Sequence, residues 1–288
     1  MHYDNEKVRG LCVGIHEEFK NRRLIQKSWP TTDEIFYSEY IHRLSKITEM
    51  IPIICRRKGA KVLDVGCGEG RLALLLKNLG YDVSGVDAHV FEGLNTFDEP
   101  RGPLLSKYFS EKGIRVEKTN IENEKLPFSD KSFEMVMFME VIEHLHNSPK
   151  PVLQEINRVL KSGGYLLLST PNYASLKKRL SAIQGKSYHW PLKGYYNFEF
   201  TVPPSRDYVG HIREFTLPEI EAMLKWGGFE IISAKTYSLP NEKGLSLKDL
   251  PKYWLSRKGT GLVALTLYLL QNMGKRLKEH IFVVARKP

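Results

Sequence analysis

The chain has 288 residues, 42% of them apolar and 26% charged, an ordinary soluble composition long enough for one large domain with additions but not for two independent cores. Its three cysteines, Cys12, Cys55 and Cys67, form no C-x-x-C pair, which excludes a disulfide framework and a cysteine zinc site; with no signal peptide in Met1 to Glu6, the cytoplasm is the expected compartment. The net charge of +10 sits at the ends, with 11 Lys/Arg against 8 Asp/Glu over residues 1–60 and 10 against 3 over 241–288; residues 61–240 balance 22 against 22, which disfavours nucleic acid as a partner.

Residues 1–60 read as a helical N-terminal extension. A helix is expected from Asp33 through Arg57, capped by Thr32 or Asp33, with Ile35, Phe36, Ile41, Leu44, Ile47 and Ile51 at helical spacing and Pro52 as its kink or end. It either covers one edge of the domain or serves as a lid. The next stretch organises the rest: Val62 to Val65 is an apolar run without turn residues, a buried strand. Gly66, Gly68 and Gly70 follow at alternate positions, then the helix formers Arg71 to Lys77. Strand, glycine turn and helix make a place where backbone approaches a ligand closely, because no Cβ intervenes. A dehydrogenase turn of the form G-x-G-x-x-G needs glycine at position 71, which is arginine here.

Leu79 to Asp87 is a helix end stopped by Gly80, then a strand ending in a carboxylate. Asp87 lies 17 residues after Gly70, where a doubly wound fold places the acid that binds a ribose; alone it would read as a turn residue. Residues 88–113 read as a loop and a short helix. Ile114 to Thr119 is the third strand, leading into Asn120-Ile121-Glu122 and then LPFSDKSFE. Met135 to Met139 is the fourth strand and opens onto EVIEHL, Glu140 to Leu145. Pro149 to Leu160 is an amphipathic helix, Lys161 to Gly164 a turn, and Tyr165 to Ser169 the fifth strand.

The ordered run VLDVGCGEG, SGVDA, LPFSDKSFE, EVIEHL and NRVLKSGGYLLLSTPN, over about residues 60–172, resembles the class I S-adenosylmethionine (SAM) methyltransferases. Within them it is similar to the broad group that includes the ubiquinone-pathway O-methyltransferases. The resemblance implies an α/β fold: a seven-stranded Rossmann-like methyltransferase sheet with flanking helices over residues 61–288, the helical extension before it. It implies SAM as cofactor and S-adenosylhomocysteine as product. The implied binding set is Asp64, Gly66, Cys67, Gly68 and Gly70 around the methionyl end, Asp87 at the ribose, Asn120 and Ile121 at the adenine, and Met139 at the end of the fourth strand. The family usually carries Asp where this chain has Asn120, whose carbonyl still accepts an N–H bond.

Beyond that core, residues 173–215 hold 9 of the chain's 31 Phe, Tyr and Trp, among them Tyr188, Trp190, Tyr195, Tyr196, Phe198 and Phe200. This aromatic-rich insert either caps an acceptor pocket or forms a satellite core beneath a long loop. Thr216 and Glu219 have the spacing of a capping box before a helix at Pro218 to Trp226, and strands follow at Phe229 to Lys235 and Ile281 to Ala285. The basic and apolar insert 241–280 separates those strands. Its run Leu262 to Leu270 spans about 13 Å as a helix, far short of the ~30 Å of bilayer hydrocarbon. With Arg257, Lys258, Lys275, Arg276 and Lys278 around it, the segment either packs on the sheet or makes peripheral membrane contact through residues 257–278.

Methyl transfer to a hydroxyl needs a group that takes a proton, and imidazole does so near neutral pH. His144 is the first choice as base, because the fourth strand opens towards the acceptor, with His211 and His189 next. Glu140, Glu143 and His144 form E-x-x-E-H, a metal-compatible set on one side of a helical turn. In this segment the chain resembles the small-RNA 3'-terminal 2'-O-methyltransferases, which implies an alternative with a divalent ion on these residues and His211. The preferred reading has no metal. It is a methyltransferase acting on a small-molecule or lipid-linked acceptor, at oxygen, with His144, His211 and Glu140 as catalytic candidates. A non-catalytic SAM-binding protein is the third reading.

Overall fold

A strand buried on both faces needs apolar side chains at nearly every position, and the runs VLDV, MVMFM and YLLLS provide them, with Asp64 and Ser169 as the polar exceptions. In the computed structural model they become the centre of a seven-stranded sheet. The structure describes residues 5–22, 57–88, 102–187, 192–196, 201–202, 207–208, 210–238 and 277–288. The strands are β1 (Lys61–Val65), β2 (Asp82–Asp87), β3 (Arg115–Lys118), β4 (Phe133–Met139), β5 (Leu160–Pro171), β8 (Glu230–Tyr237) and β9 (His280–Arg286), with β6 (Thr201–Val202) and β7 (Asp207–Tyr208) as a separate pair. Their order is β3-β2-β1-β4-β5-β9-β8. Neighbours from β3 to β5 run parallel, and β9 is antiparallel to both β5 and β8. The sequence reached all seven strands of this sheet. The β6–β7 pair it did not foresee.

Successive side chains of the central strands enter different cores, as the period of two requires. Val62, Met135, Met137 and Leu167 join α1 (Asn5–Asn21), α2 (Arg71–Asn78) and α3 (Gly102–Glu111) on one face. Leu63, Val65, Val136, Phe138, Leu166 and Leu168 join α4 (Lys150–Val159) and α7 (Leu217–Trp226) on the other. Each of these strand side chains is 0% exposed, worth about 1.5–3 kcal/mol apiece. Two further helices, α5 (Leu176–Ile183) and α6 (Leu192–Tyr196), follow β5.

Several boundaries differ from the sequence reading for identifiable reasons. β5 starts at Leu160, not Tyr165, because Leu160 pairs with Phe133 before the register shifts. Gly163 and Gly164 absorb that irregularity; Gly163 has φ of 76°, and a Cβ on Gly164 would lie 2.8 Å from the carbonyl oxygen of Lys161. The helical turn expected to begin at Glu140 begins later, as a 3₁₀ turn over Ile142–His144. All but the last residue of the helix read over 33–57, the aromatics Tyr188, Trp190, Phe198 and Phe200, the base candidate His189, and nearly all of 241–280 lie outside the described residues. Among the described residues no helix is long and apolar enough to cross a membrane.

Candidate active site

After Val65 the chain turns through Gly66, Gly68 and Gly70, with φ of 74°, 52° and 73°, a region costly for any residue with a Cβ. A Cβ on Gly66 would lie 2.4 Å from Val141 Cγ2, and one on Gly70 would lie 2.3 Å from the Phe109 ring. A Cβ on Gly68 would meet nothing within 4 Å. Gly66 and Gly70 are therefore also demanded by packing, whereas Gly68 borders open space at the carboxyl edge of the sheet, the edge at which open α/β folds bind ligands. The turn is pinned from below: the N–H groups of Gly66 and Cys67 donate to the Val86 carbonyl at 2.9 and 3.1 Å. Cys67 enters through its backbone, since its thiol packs on Gly85, where an added Cβ would come within 2.8 Å of Sγ. Burial pushes that thiol further up in pKa.

Two carboxylates flank the turn. Asp87 Oδ2 accepts the Gly68 N–H at 2.9 Å, so the acid at the end of β2 is braced by the glycine turn itself. Asp64 is 3% exposed, and its Oδ2 has no hydrogen-bond partner. Burial, with the charge of Asp87 second, pushes Asp64 up to about 7. Beyond β3, the Asn120 side-chain oxygen accepts the Glu122 N–H at 3.1 Å, which occupies one of its two acceptor positions. Ile121 is half-buried against the second core, and Met139 against the first. Arg158 fastens the loop after Asn120 by donating to the carbonyls of Leu126 and Phe128 at 3.0 and 2.9 Å and to Asp130 at 2.7 Å.

The end of β4 builds the other half of the edge. Glu140 has φ of 57°, and its N–H donates to the Ser169 carbonyl at 2.9 Å. Its carboxylate accepts from Ser169 Oγ at 2.6 Å and lies 3.8 Å from His280 Nδ1. Glu143 is 0% exposed, accepts from Thr170 Oγ1 at 2.9 Å, and its backbone carbonyl receives the N–H groups of Ile212 and Arg213 at 2.8 and 3.2 Å. Those two bonds bring His211 against His144, with ring centroids 5.0 Å apart and the planes at 77°. His144 Nδ1 is 3.2 Å from the Gly210 carbonyl, which can only accept, so Nδ1 carries the hydrogen. One donor atom each from Glu143, His144 and His211 lie within 4.8 Å of one another. The sequence set of Glu140, Glu143, His144 and His211 is thus corrected: Glu140 leaves the strand in a left-handed conformation, and its carboxylate engages Ser169 and His280 instead.

Sequence reasoning passed over Ser169, Thr170, Glu214 and His280. The three-residue spacing of His211 and Glu214 was a usable signal. His280 gave none, because it reaches the edge through the reversed direction of β9, paired with Pro171 at the end of β5.

A family model described as a methyltransferase domain matches residues 34–234. The chain belongs to that family. This methyltransferase is similar to the Ubiquinone biosynthesis O-methyltransferase of Cereibacter sphaeroides, at 30% identity over 177 residues, 58% of this chain and 67% of that protein. A SAM dependent methyltransferase from Archaeoglobus fulgidus shares its fold with a TM-score of 0.52 at 18% identity, over 88% of this chain and 97% of that one. The [4+2]-cyclase SpnF does so with a TM-score of 0.51 at 17% identity, over 84% and 80%, so the chemistry has to be argued from the site.

The cofactor is SAM, and the residues present fit it. The space beside Gly68 leaves room for close backbone approach. Asp64, two residues before Gly66, has a buried Oδ2 without a hydrogen-bond partner that would suit a positive group of the cofactor. When bound, the cofactor would supply an electrophilic methyl.

Proposed function

We propose that this SAM-dependent methyltransferase acts on a hydroxyl of a small-molecule or lipid-linked acceptor, with His144 taking the proton. The convergence of His144, His211 and the buried Glu143 next to the end of β4 carries this reading. A hydroxyl loses its proton as the methyl is transferred, and a ring with its hydrogen fixed on Nδ1 has its lone pair on Nε2, ready to accept it. The His144 side chain is 37% exposed, so solvent and acceptor reach it, while Glu143 at 0% holds the backbone that frames it. Glu140, braced by Ser169, shapes the neighbouring edge. Holding the acceptor in line supplies the larger share of rate, about 7–11 kcal/mol in well-oriented systems. The relatives named ubiquinone biosynthesis O-methyltransferases, at about 30% identity, support oxygen as the target. The segment 173–215 is proposed as the acceptor cap, and 257–278 as the contact with anionic lipid; equal vesicle co-sedimentation with and without 257–278 would reject the latter.

The test is methyl transfer from labelled SAM to a panel of phenols, sugars, quinone precursors and short RNAs. His144→Gln is expected to lower kcat at least 100-fold with S-adenosylhomocysteine binding unchanged; an unchanged kcat would refute the role of His144. The same donors favour a second reading, a divalent ion on Glu143, His144 and His211 that binds the acceptor hydroxyls, as in a terminal-ribose RNA methyltransferase. One carboxylate and two imidazoles suit a transition metal. In that reading EDTA abolishes transfer and Mn²⁺ or Co²⁺ restores it; full activity in EDTA excludes it.

A further inference from the structure

His211 is held by two residues that the proposed reaction does not otherwise use. Its Nδ1 lies 2.9 Å from Glu214 Oε1, and the second Glu214 oxygen contacts the ammonium of Lys178. The side chains of Lys178, Glu214 and His211 are 17%, 9% and 21% exposed. By contrast, Arg22 and Glu111, a surface pair, are 44% and 42% exposed. Both sides of the contact are anchored. Ser175 caps α5 through the Lys178 N–H, and the Leu176 N–H donates to the Leu277 carbonyl at 2.9 Å. Within residues 210–215, Ile212 and Arg213 are fixed by the Glu143 carbonyl and Phe215 by a bridge to Asn172.

We propose that Glu214, clamped by Lys178, is a positioning residue that locks His211 with its hydrogen on Nδ1 and its lone pair on Nε2; this rests on reading the histidine pair as the reacting edge. A carboxylate with one oxygen against an ammonium accepts hydrogen bonds and donates none, so the ring nitrogen it meets has to be N–H. His144 reaches the same tautomer through the Gly210 carbonyl. The two rings therefore present the same kind of nitrogen by independent means, whether that nitrogen takes a proton or binds a metal. Lys178 lies on the first helix after β5, so the seating of that helix sets the tautomer of His211.

The test uses the full chain with ¹⁵N-labelled histidine and long-range ¹H–¹⁵N correlation, with His211 assigned by His211→Asn. Wild type is expected to show His211 protonated on Nδ1. In Glu214→Gln the amide oxygen stays with Lys178 and the NH₂ group faces Nδ1, so the hydrogen is expected to move to Nε2. Transfer to the best acceptor is expected to fall about 10–100-fold in kcat with KM for SAM unchanged. Should Glu214→Gln not fold, Lys178→Met with Glu214→Leu replaces the pair without leaving a buried charge or an acceptor beside Nδ1, and a loss of the fixed Nδ1 tautomer is expected there too. An Nε2–H tautomer in wild type, or an unaltered Nδ1–H tautomer in the variants, overturns the proposal. The spectrum requires no turnover, so a failed role for His144 in kinetics leaves this result separately readable.

Discussion

Asp64→Asn tests the cofactor edge through protein stability. Asp64 is buried at 3% exposure and titrates at about 7 against an ordinary 3.8, so the folded chain holds a proton there that the unfolded chain has lost. A raised carboxylate makes the native state bind more protons, and stability falls as pH rises from 3.8 through 7. At about 1.4 kcal/mol per pH unit, the fall between pH 5 and pH 8 is about 3 kcal/mol, and about 4 kcal/mol over the whole range. Asparagine keeps the shape and removes the ionisation. Urea unfolding of wild type and Asp64→Asn at pH 5 and pH 8 is therefore expected to show a stability difference that moves by about 3 kcal/mol in favour of the variant at the higher pH. Calorimetry supplies the second half: a cationic ligand draws Asp64 into its ionised form, so SAM binding at pH 6 releases close to one proton in wild type and none from this position in the variant. Parallel pH curves for the two proteins would refute the reasoning.

The glycine turn separates packing from ligand approach. Gly70→Ala puts a Cβ 2.3 Å from the Phe109 ring at φ of 73° and is expected to cost about 2–4 kcal/mol in urea unfolding. Gly68→Ala, with nothing within 4 Å of its Cβ, is expected to cost only about 1 kcal/mol of stability, and to weaken S-adenosylhomocysteine binding at least tenfold by calorimetry. Thr170→Val removes the hydroxyl that donates to the buried Glu143 and is expected to destabilise by about 1.5–3 kcal/mol, measured by thermal unfolding at pH 7. Thr216→Ala breaks the capping box at the start of α7, with an expected loss of about 1 kcal/mol and no change in cofactor affinity.

The glycine turn and the carboxylates beside it were legible because they are local. Asp64, Gly66, Gly68, Gly70 and Asp87 belong to two consecutive strand ends, and the glycine positive-φ requirement, the β-branched run and the carboxylate at a strand end are each visible within about 25 residues. The capping box was legible for the same reason, with both partners three residues apart. The acceptor half was legible in its residue types but not in its partners. His144 and His211 were named from the sequence, yet their meeting depends on the Glu143 carbonyl receiving the backbone of Ile212 and Arg213, a contact across some 70 residues that no periodicity encodes.

Alone, the sequence determined the seven strands of the main sheet, their buried character and the place of the glycine turn, since backbone propensity and side-chain period act over a few residues. Tertiary structure decided which carboxylate joins the histidines. A left-handed backbone at Glu140 sends its side chain to Ser169 and His280, while one further turn places Glu143 beside His144. The reversed β9 brings His280 to the same edge from the far end of the chain. These choices follow from where separate elements end once packed, and packing is settled by the whole chain at once.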